Sequence, residues 1–153
     1  MPELKIIRVD DLDPVEGKAQ MHGDRRVGAH LRFLEQTPTR VFMHCHYDPG
    51  MTIEAHGHAS DHAIFVLNGS VTVGEVECRR ATLVVLEKGA VFGPLVAGPE
   101  GTDLLEFYAG DSTPVPEDPD AFAALLRERN IVPVEPAYRR PAGTASDPSP
   151  PPS

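Results

Sequence analysis

Apolar residues alternate with polar ones, or run in short blocks, along the chain as far as about residue 110. The blocks are rich in Val, Phe, Leu and Tyr, which favour extended backbone. Turn-forming residues separate them, including Pro49-Gly50, Lys88-Gly89, the run AGPEG (97–101) and Asn68-Gly69, the strongest hairpin indication. Many short strands between turns predict an all-β antiparallel sandwich or barrel. The predicted strands are HLRFLEQ (30–36), RVFMHCHY (40–47), AIFVL (63–67), SVTVG (70–74), TLVVLE (82–87) and DLLEFYAG (103–110).

The pattern changes at Asp111, where a proline-rich connector leads into one predicted helix, DPDAFAALLRERN (118–130). Asp118 is placed as its N-cap, Pro119 at its first position and Asn130 at its end. The apolar stripe Phe122, Leu125 and Leu126 predicts packing against the sheet or a second subunit. We therefore divide the chain into a barrel with an N-terminal strand (1–110), a connector with the helix (111–140) and a disordered proline-rich tail (141–153).

Length and charge narrow the function classes. The 153 residues suffice for one hydrophobic core, and the net charge of −9 disfavours nucleic-acid binding, which requires clustered Lys and Arg. Neither a membrane-spanning stretch nor the apolar middle of a signal peptide stands in the sequence, which predicts a cytoplasmic protein without membrane contact. Cys45 and Cys78 are expected to be reduced and buried, and no C-x-x-C motif is present. Any metal would therefore be held by histidine and carboxylate side chains.

The segment PGMTIEAHGHASDHAIFVLNG (49–69) contains three of the seven histidines. In a strand, His56 and His58 project from one face, and His62 follows at the start of the next strand. Such a set leaves coordination positions open, which suits catalysis better than a structural role. The competing interpretation is that the three histidines form hydrogen bonds and bind no metal. The spacing alone favours neither interpretation.

The same segment resembles the first motif of the cupin superfamily, G-x5-H-x-H-x3-E-x6-G. The matching anchors are Gly50, His56, His58 and Gly69, with His62 where the family has glutamate. This resemblance covers roughly residues 27–110. It implies a small antiparallel jelly-roll β-barrel with a metal in its mouth, and a homodimer.

The second cupin motif, G-x5-P-x-G-x2-H-x3-N, is matched only by Gly89. Phe92 stands at the family's histidine ligand position. Either metal binding has been lost and Phe92 fills the barrel, or the site is a three-histidine centre. Three neutral imidazoles would leave the ion's charge uncompensated, which favours an anionic oxygen from the substrate. An all-nitrogen set also favours Fe, Ni, Zn or Cu over Mg, Ca and Mn.

Other side chains are predicted at the pocket. We expect Phe65, Phe92 and Phe107 to make it apolar, and Glu106 and Tyr108 to line it from a late strand. Glu54 shares the strand parity of His56 and His58, although a solvated carboxylate is favoured there. His44 and His46 are expected to face outward, because the apolar face of their strand contains Cys45.

The resemblance and the histidine pattern together predict a metal-dependent enzyme that acts on a small organic substrate. Dioxygenase-like cleavage is one reaction that the resemblance implies. That substrate would be apolar or aromatic and anionic. The ligands are predicted as His56, His58 and His62, with no catalytic residue assigned. The alternative is a non-catalytic cupin that binds or senses a ligand through a degenerate or absent metal site.

Overall fold

The computed structural model describes residues 1–138, so the tail predicted to begin at Pro141 lies outside the described residues. These residues contain one 3-10 helix (Val9–Asp11) and one α-helix, α1 (Pro119–Glu128). None of their helices has the length and hydrophobicity needed to cross a membrane. The strands are β1 (Val15–His22), β2 (Arg25–Thr37), β3 (Arg40–Tyr47), β4 (Thr52–Ile53), β5 (His56–His58), β6 (His62–Val73), β7 (Val76–Arg79), β8 (Leu83–Leu86), β9 (Val91–Phe92), β10 (Leu95–Tyr108), β11 (Pro114–Pro116) and β12 (Ile131–Val134).

The strands form two sheets, and their pairings are antiparallel as the sequence predicts. The larger sheet has the order β12-β1-β2-β3-β10-β6-β7, with β4 paired to β10 and β8 paired to β6. The smaller sheet has the order β11-β5-β9. The inner faces of the two sheets enclose the core and the cavity described below.

Strand β3 shows how sequence periodicity determines the core. Val41, Met43, Cys45 and Tyr47 are buried, whereas the residues between them are only partly so. This alternation arises because successive side chains of a strand point to opposite faces of the sheet. Both cysteines are free and buried, as predicted.

The hairpin predicted at Asn68-Gly69 is wrong. Strand β6 continues through both residues, and Gly69 has a positive φ of 70° inside the strand, opposite Thr102 of β10. The register shifts on either side of Thr102 show that the strands are bulged there. Positive φ at glycine serves a bulge as well as a turn, which explains the error. The turn between β6 and β7 instead follows Val73, which pairs with Val76.

The run AGPEG is likewise no connection between strands, because it lies within β10. Ala97 pairs with Val71 and Thr102 pairs with Gly69, so β10 has extra residues between these two positions. The additional residues are accommodated as an irregularity of a continuous strand.

The predicted helix is confirmed, including its ends. The Asp118 carboxylate accepts a hydrogen bond from the Ala121 N–H at 2.9 Å, and Pro119 is the first helical residue. The helix ends at Glu128, and Asn130, which follows the C-cap residue Arg129, adopts a left-handed φ of 55°. Leu126 is buried, and α1 contacts β12, a strand that the sequence pattern did not predict. Strand β12 extends the large sheet by pairing with β1.

Candidate metal centre and its cavity

A cavity of about 350 Å³ lies between the two sheets. Its walls are mainly apolar, and its polar groups are few, which is typical of a small-molecule site. The lining residues are Gly17, Lys18, Ala29, Leu31, Phe33, Met43, Tyr47, Ile53, His56, His58, Phe92, Leu95, Glu106, Tyr108, Ser112, Pro114 and Tyr138.

His56 and His58 lie on β5 and both line the cavity. The His56 Nδ1 lies 2.7 Å from the Glu54 carbonyl oxygen, and the His58 Nδ1 lies 3.1 Å from that of Thr113. A carbonyl oxygen can only accept, so each Nδ1 carries the proton and donates it. Each Nε2 then keeps its lone pair, which is the protonation pattern of metal-binding histidines.

His62 begins β6 and is 2% exposed, but it does not line the cavity. Its ring stacks on Tyr108 with centroids 4.0 Å apart, and its centroid lies 4.7 Å from that of His58. Neither nitrogen of His62 has a hydrogen-bond partner, and the same is true of the His58 Nε2. Buried polar atoms are nearly always satisfied, so three such nitrogens in adjacent rings require an explanation.

Burial keeps these three imidazoles neutral. It lowers the pKa of His58 to about 4, with a further contribution from His56, and the pKa of His62 to about 3. Burial also lowers the pKa of His56. Neutral imidazole is the form that binds a metal ion, so the cluster is in the ligating form at neutral pH.

The three rings form one continuous cluster, with 5.0 Å between the centroids of His56 and His58. Among the described residues, however, no group of three His, Cys, Asp or Glu side chains already has the arrangement that would hold an ion. The donor set itself fits a divalent transition metal, because unprotonated nitrogens without partners are concentrated there. The ligand assignment of His56, His58 and His62 therefore stays a prediction.

A buried carboxyl group completes the polar lining. The Oε2 of Glu106 accepts hydrogen bonds from the Cys45 thiol at 3.4 Å and the Tyr108 hydroxyl at 3.3 Å. Burial raises the pKa of Glu106, and it raises those of Cys45 and Tyr108 well above their usual values. Both donors consequently keep their protons, and they fix the orientation of the Glu106 carboxyl group.

Of the side chains predicted at the pocket, Phe92, Glu106 and Tyr108 line the cavity. The Phe92 ring centroid lies 4.8 Å from that of His56 and 5.6 Å from that of His62. Phe92, which stands where the second cupin motif has a histidine, is therefore in contact with the histidine cluster.

Phe65 and Phe107 do not line the pocket, and those predictions are wrong. On β6 the inward residues are Ile64 and Val66, so Phe65 points outward and is 38% exposed. Phe107 alternates with inward Glu106 in the same way, and its ring packs against Phe42 on the outer face at 4.8 Å. Apolar character alone predicts both residues at the pocket, whereas strand parity places them on the outer face.

Glu54 also lies outside the cavity lining, and its side chain is 21% exposed. Strand β4 ends at Ile53 and β5 begins at His56, so parity does not extend from Glu54 to the histidines. The Glu54 carboxylate is 3.9 Å from the Lys18 ammonium nitrogen.

His44 and His46 lie on the outer face of β3, as predicted. The His46 Nδ1 is 2.8 Å from an Asp103 carboxylate oxygen, and its ring stacks on that of His30. These contacts give His46 polar partners of its own, unlike the buried histidines.

Sequence reasoning missed several lining residues, above all Lys18 and Tyr138. Tyr47 and Met43 could have been found, because they share the predicted buried face of β3 with Cys45. The neighbouring Gly17 was the available indication for Lys18, since glycine inside a strand often marks a bulge.

No protein-family profile and no curated protein sequence matches the chain. Solved structures do match it. A proposed acetylacetone dioxygenase from Methylibium petroleiphilum has 14% identity and a TM-score of 0.63 over 78% of this chain and 85% of that one. The polyketide cyclase RemF from Streptomyces resistomycificus has 19% identity and a TM-score of 0.59 over 80% and 94%. An RmlC-like cupin from Shewanella frigidimarina has 14% identity and a TM-score of 0.55 over 72% and 94%.

These likenesses establish the fold. The chain is a cupin-fold protein, and the jelly-roll barrel with one C-terminal helix is confirmed within the described residues. The proteins that share this fold carry names of different activities, so the fold alone does not determine the reaction.

Proposed function

We propose that this protein is a metal-dependent cupin enzyme that acts on a small apolar or aromatic molecule with an anionic oxygen group. His56, His58 and His62 would hold a divalent transition metal (Fe, Ni, Zn or Cu) where His56 and His58 border the cavity. Bound there, the metal would supply Lewis-acid or redox chemistry to a substrate oxygen.

One observation carries this proposal. The His58 Nε2 and both nitrogens of His62 are buried without partners, and hydrogen bonds to backbone carbonyls hold the Nδ1 protons of His56 and His58. Leaving buried polar groups unsatisfied costs about 1–3 kcal/mol each, and a bound metal would offset this cost for the His58 Nε2 and for one nitrogen of His62.

The remaining lining residues supply binding and proton transfer. The apolar walls, including Leu31, Phe33 and Phe92, would exclude water and bind the hydrocarbon part of the substrate. Glu106 is the carboxyl group among the lining residues, and its contacts with Cys45 and Tyr108 hold it in place. It would exchange a proton with the bound molecule.

A non-catalytic binding module is the second candidate. It is favoured by the absence, among residues 1–138, of three His, Cys, Asp or Glu side chains already arranged around an ion. In that case Phe92 would act as apolar filler, and the cavity would bind its ligand without turnover.

Metal analysis of the purified protein distinguishes the two. We expect about one transition metal per chain after expression in metal-replete medium. The double variant His56→Ala/His58→Ala should lose it, whereas His44→Ala/His46→Ala, on the outer face of β3, should retain it. The proposal would be contradicted if the wild-type protein contained no metal, or if only the variant His44→Ala/His46→Ala lost it.

Reaction type is tested next on the metal-loaded protein. Oxygen consumption with small aromatic or 1,3-dicarbonyl compounds would support dioxygenase-like cleavage, and the double variant His56→Ala/His58→Ala should abolish it. Tight binding of such compounds without any product formation would favour the binding module. We also propose a homodimer, for which sedimentation of the full chain is the direct measurement.

A further inference from the structure

Strand β1 contains a bulge next to the cavity. Glu16 lies opposite His30 of β2, but Lys18 lies opposite Ala29, so Gly17 is an extra residue in β1. A β-carbon at Gly17 would lie 2.6 Å from the Leu31 side chain, which itself lines the cavity. Glycine therefore allows the bulged backbone to approach β2 closely.

The bulge determines the direction of Lys18. Residues directly opposite in an antiparallel pair share one face of the sheet, and Ala29 is buried on the cavity face. Val15 lies opposite Leu31, on the cavity face of the sheet. In a regular strand Lys18, three residues after Val15, would point to the outer face. The bulge thus places a lysine where regular alternation would not, and bulges beside active sites commonly re-aim a side chain.

Lys18 is the one Lys or Arg among the lining residues that the structure describes. Its positive charge acts on the buried Glu106 carboxyl group, which also lines the cavity. At Glu106, where burial raises the pKa, the same positive charge partly offsets that effect. Lys18 therefore shares the cavity lining with the buried polar groups His56 and Glu106.

An ion pair with Glu54 is the competing role for Lys18. The nitrogen–oxygen distance is 3.9 Å, and the Lys18 side chain is 48% exposed. A pair this long and this exposed contributes little to stability. It also leaves the ammonium group free to bind an additional anion.

We infer that Lys18 binds the anionic group of the ligand, so that the cavity selects aromatic or alkyl carboxylates. The carboxylate lies at the half-exposed end beside Lys18, and the apolar body extends toward Phe92, so that a second oxygen of the ligand would meet the proposed metal. This inference rests on the proposed function only for the end of the ligand that would react at the metal. The contact between Lys18 and the carboxylate requires no metal.

The test compares 2-naphthoate with its neutral isostere 2-naphthamide by titration calorimetry at low ionic strength. Wild-type protein should bind naphthoate roughly fivefold more tightly, the size expected for a partly exposed ion pair. Lys18→Met should remove that preference while leaving naphthamide binding unchanged, and Lys18→Arg should retain it. Lys88→Met, at a turn outside the cavity, is the matched control. Melting curves verify that each variant is folded.

Titrations with metal-loaded and with chelator-treated protein separate this inference from the proposed function. If Lys18→Met removes the preference in both forms, Lys18 is the carboxylate site, whether or not the protein binds metal. If the preference survives in Lys18→Met and disappears only on metal removal, the carboxylate binds at the metal and the inference is wrong. Equal binding of the two compounds by wild-type protein, or binding of neither, would also overturn it.

Discussion

Phe92 occupies the position from which a fourth ligand would approach the histidine cluster. It pairs with His56 across β5 and β9, and its ring contacts both His56 and His62. An apolar ring there would close one side of the proposed three-histidine site, and it contributes no donor. Phe92 is compatible with an open metal centre and with an apolar barrel, so a substitution at this position tests which of the two is present.

Phe92→His should raise metal affinity and lower activity if the three-histidine centre exists. The new nitrogen would add a ligand while removing the coordination position available to substrate. In a barrel without metal, the same change would bury an unpaired imidazole at a cost of about 1–3 kcal/mol. Metal affinity and melting temperature are measured together on this variant. Phe65→His is the matched control, because Phe65 lies on the outer face and should change neither.

Destabilisation of Phe92→His without any gain in metal affinity would lead us to abandon the enzyme proposal. An equal gain in affinity for Phe65→His would show that the new histidine binds metal nonspecifically.

The sequence identifies part of the site because part of it is local. His56 and His58 share one face of a short strand, and that relation follows from alternation alone. The hydrogen bond between Cys45 and Glu106 joins residues 61 positions apart, and no sequence pattern encodes it. Lys18 was missed because no strand was delimited over residues 15–22, and the bulge in β1 would have reversed the parity of a regular strand there.

At the scale of strands and turns, Gly69 has a different role from the one that its sequence context indicates. Asn68-Gly69 has the composition of a hairpin turn, yet Gly69 lies within β6, next to the backbone of Gly101 in β10. Only the pairing of two distant strands decides between bulge and turn. The helix α1 was predicted correctly because its cap, its first proline and its end depend on neighbouring residues only.

The substitution Gly69→Ala tests whether the backbones of β6 and β10 approach closely at the bulge. A β-carbon there would clash with the Gly101 carbonyl group, and the positive φ adds strain. Gly23→Ala is the matched control, since Gly23 also has positive φ (63°) but has no atom within 4 Å of the added carbon. We expect Gly23→Ala to cost about 1 kcal/mol from backbone strain alone, and Gly69→Ala to cost clearly more. Urea unfolding gives both values, and equal costs would show that no close approach exists at Gly69.

For the whole molecule, the buried neutral histidines link stability to pH. Burial lowers the pKa values of His58 to about 4 and His62 to about 3, whereas an unfolded chain has values near 6.5. Below about pH 6.5 the unfolded state binds more protons, so stability present at neutral pH is lost as the pH falls toward 4 and 3. Each histidine contributes a slope of at most about 1.4 kcal/mol per pH unit.

Unfolding free energies of the metal-free protein between pH 7 and pH 5 measure this slope. His62→Phe should reduce it, because one buried titrating group is removed, whereas Phe65→Leu should leave it unchanged. A slope identical in wild-type protein and His62→Phe would show that His62 is not held neutral by burial.

The most direct measurement is NMR of the imidazole nitrogens of uniformly ¹⁵N-labelled protein during titration with Zn²⁺. Our proposal predicts that the Nε2 resonances of His56 and His58, together with one nitrogen of His62, shift until one equivalent is bound. The Nδ1–H signals of His56 and His58 should persist, because backbone carbonyls accept those protons. Zinc-dependent shifts confined to His30, His44 and His46, or no shift in any histidine, would contradict a metal centre in this cavity.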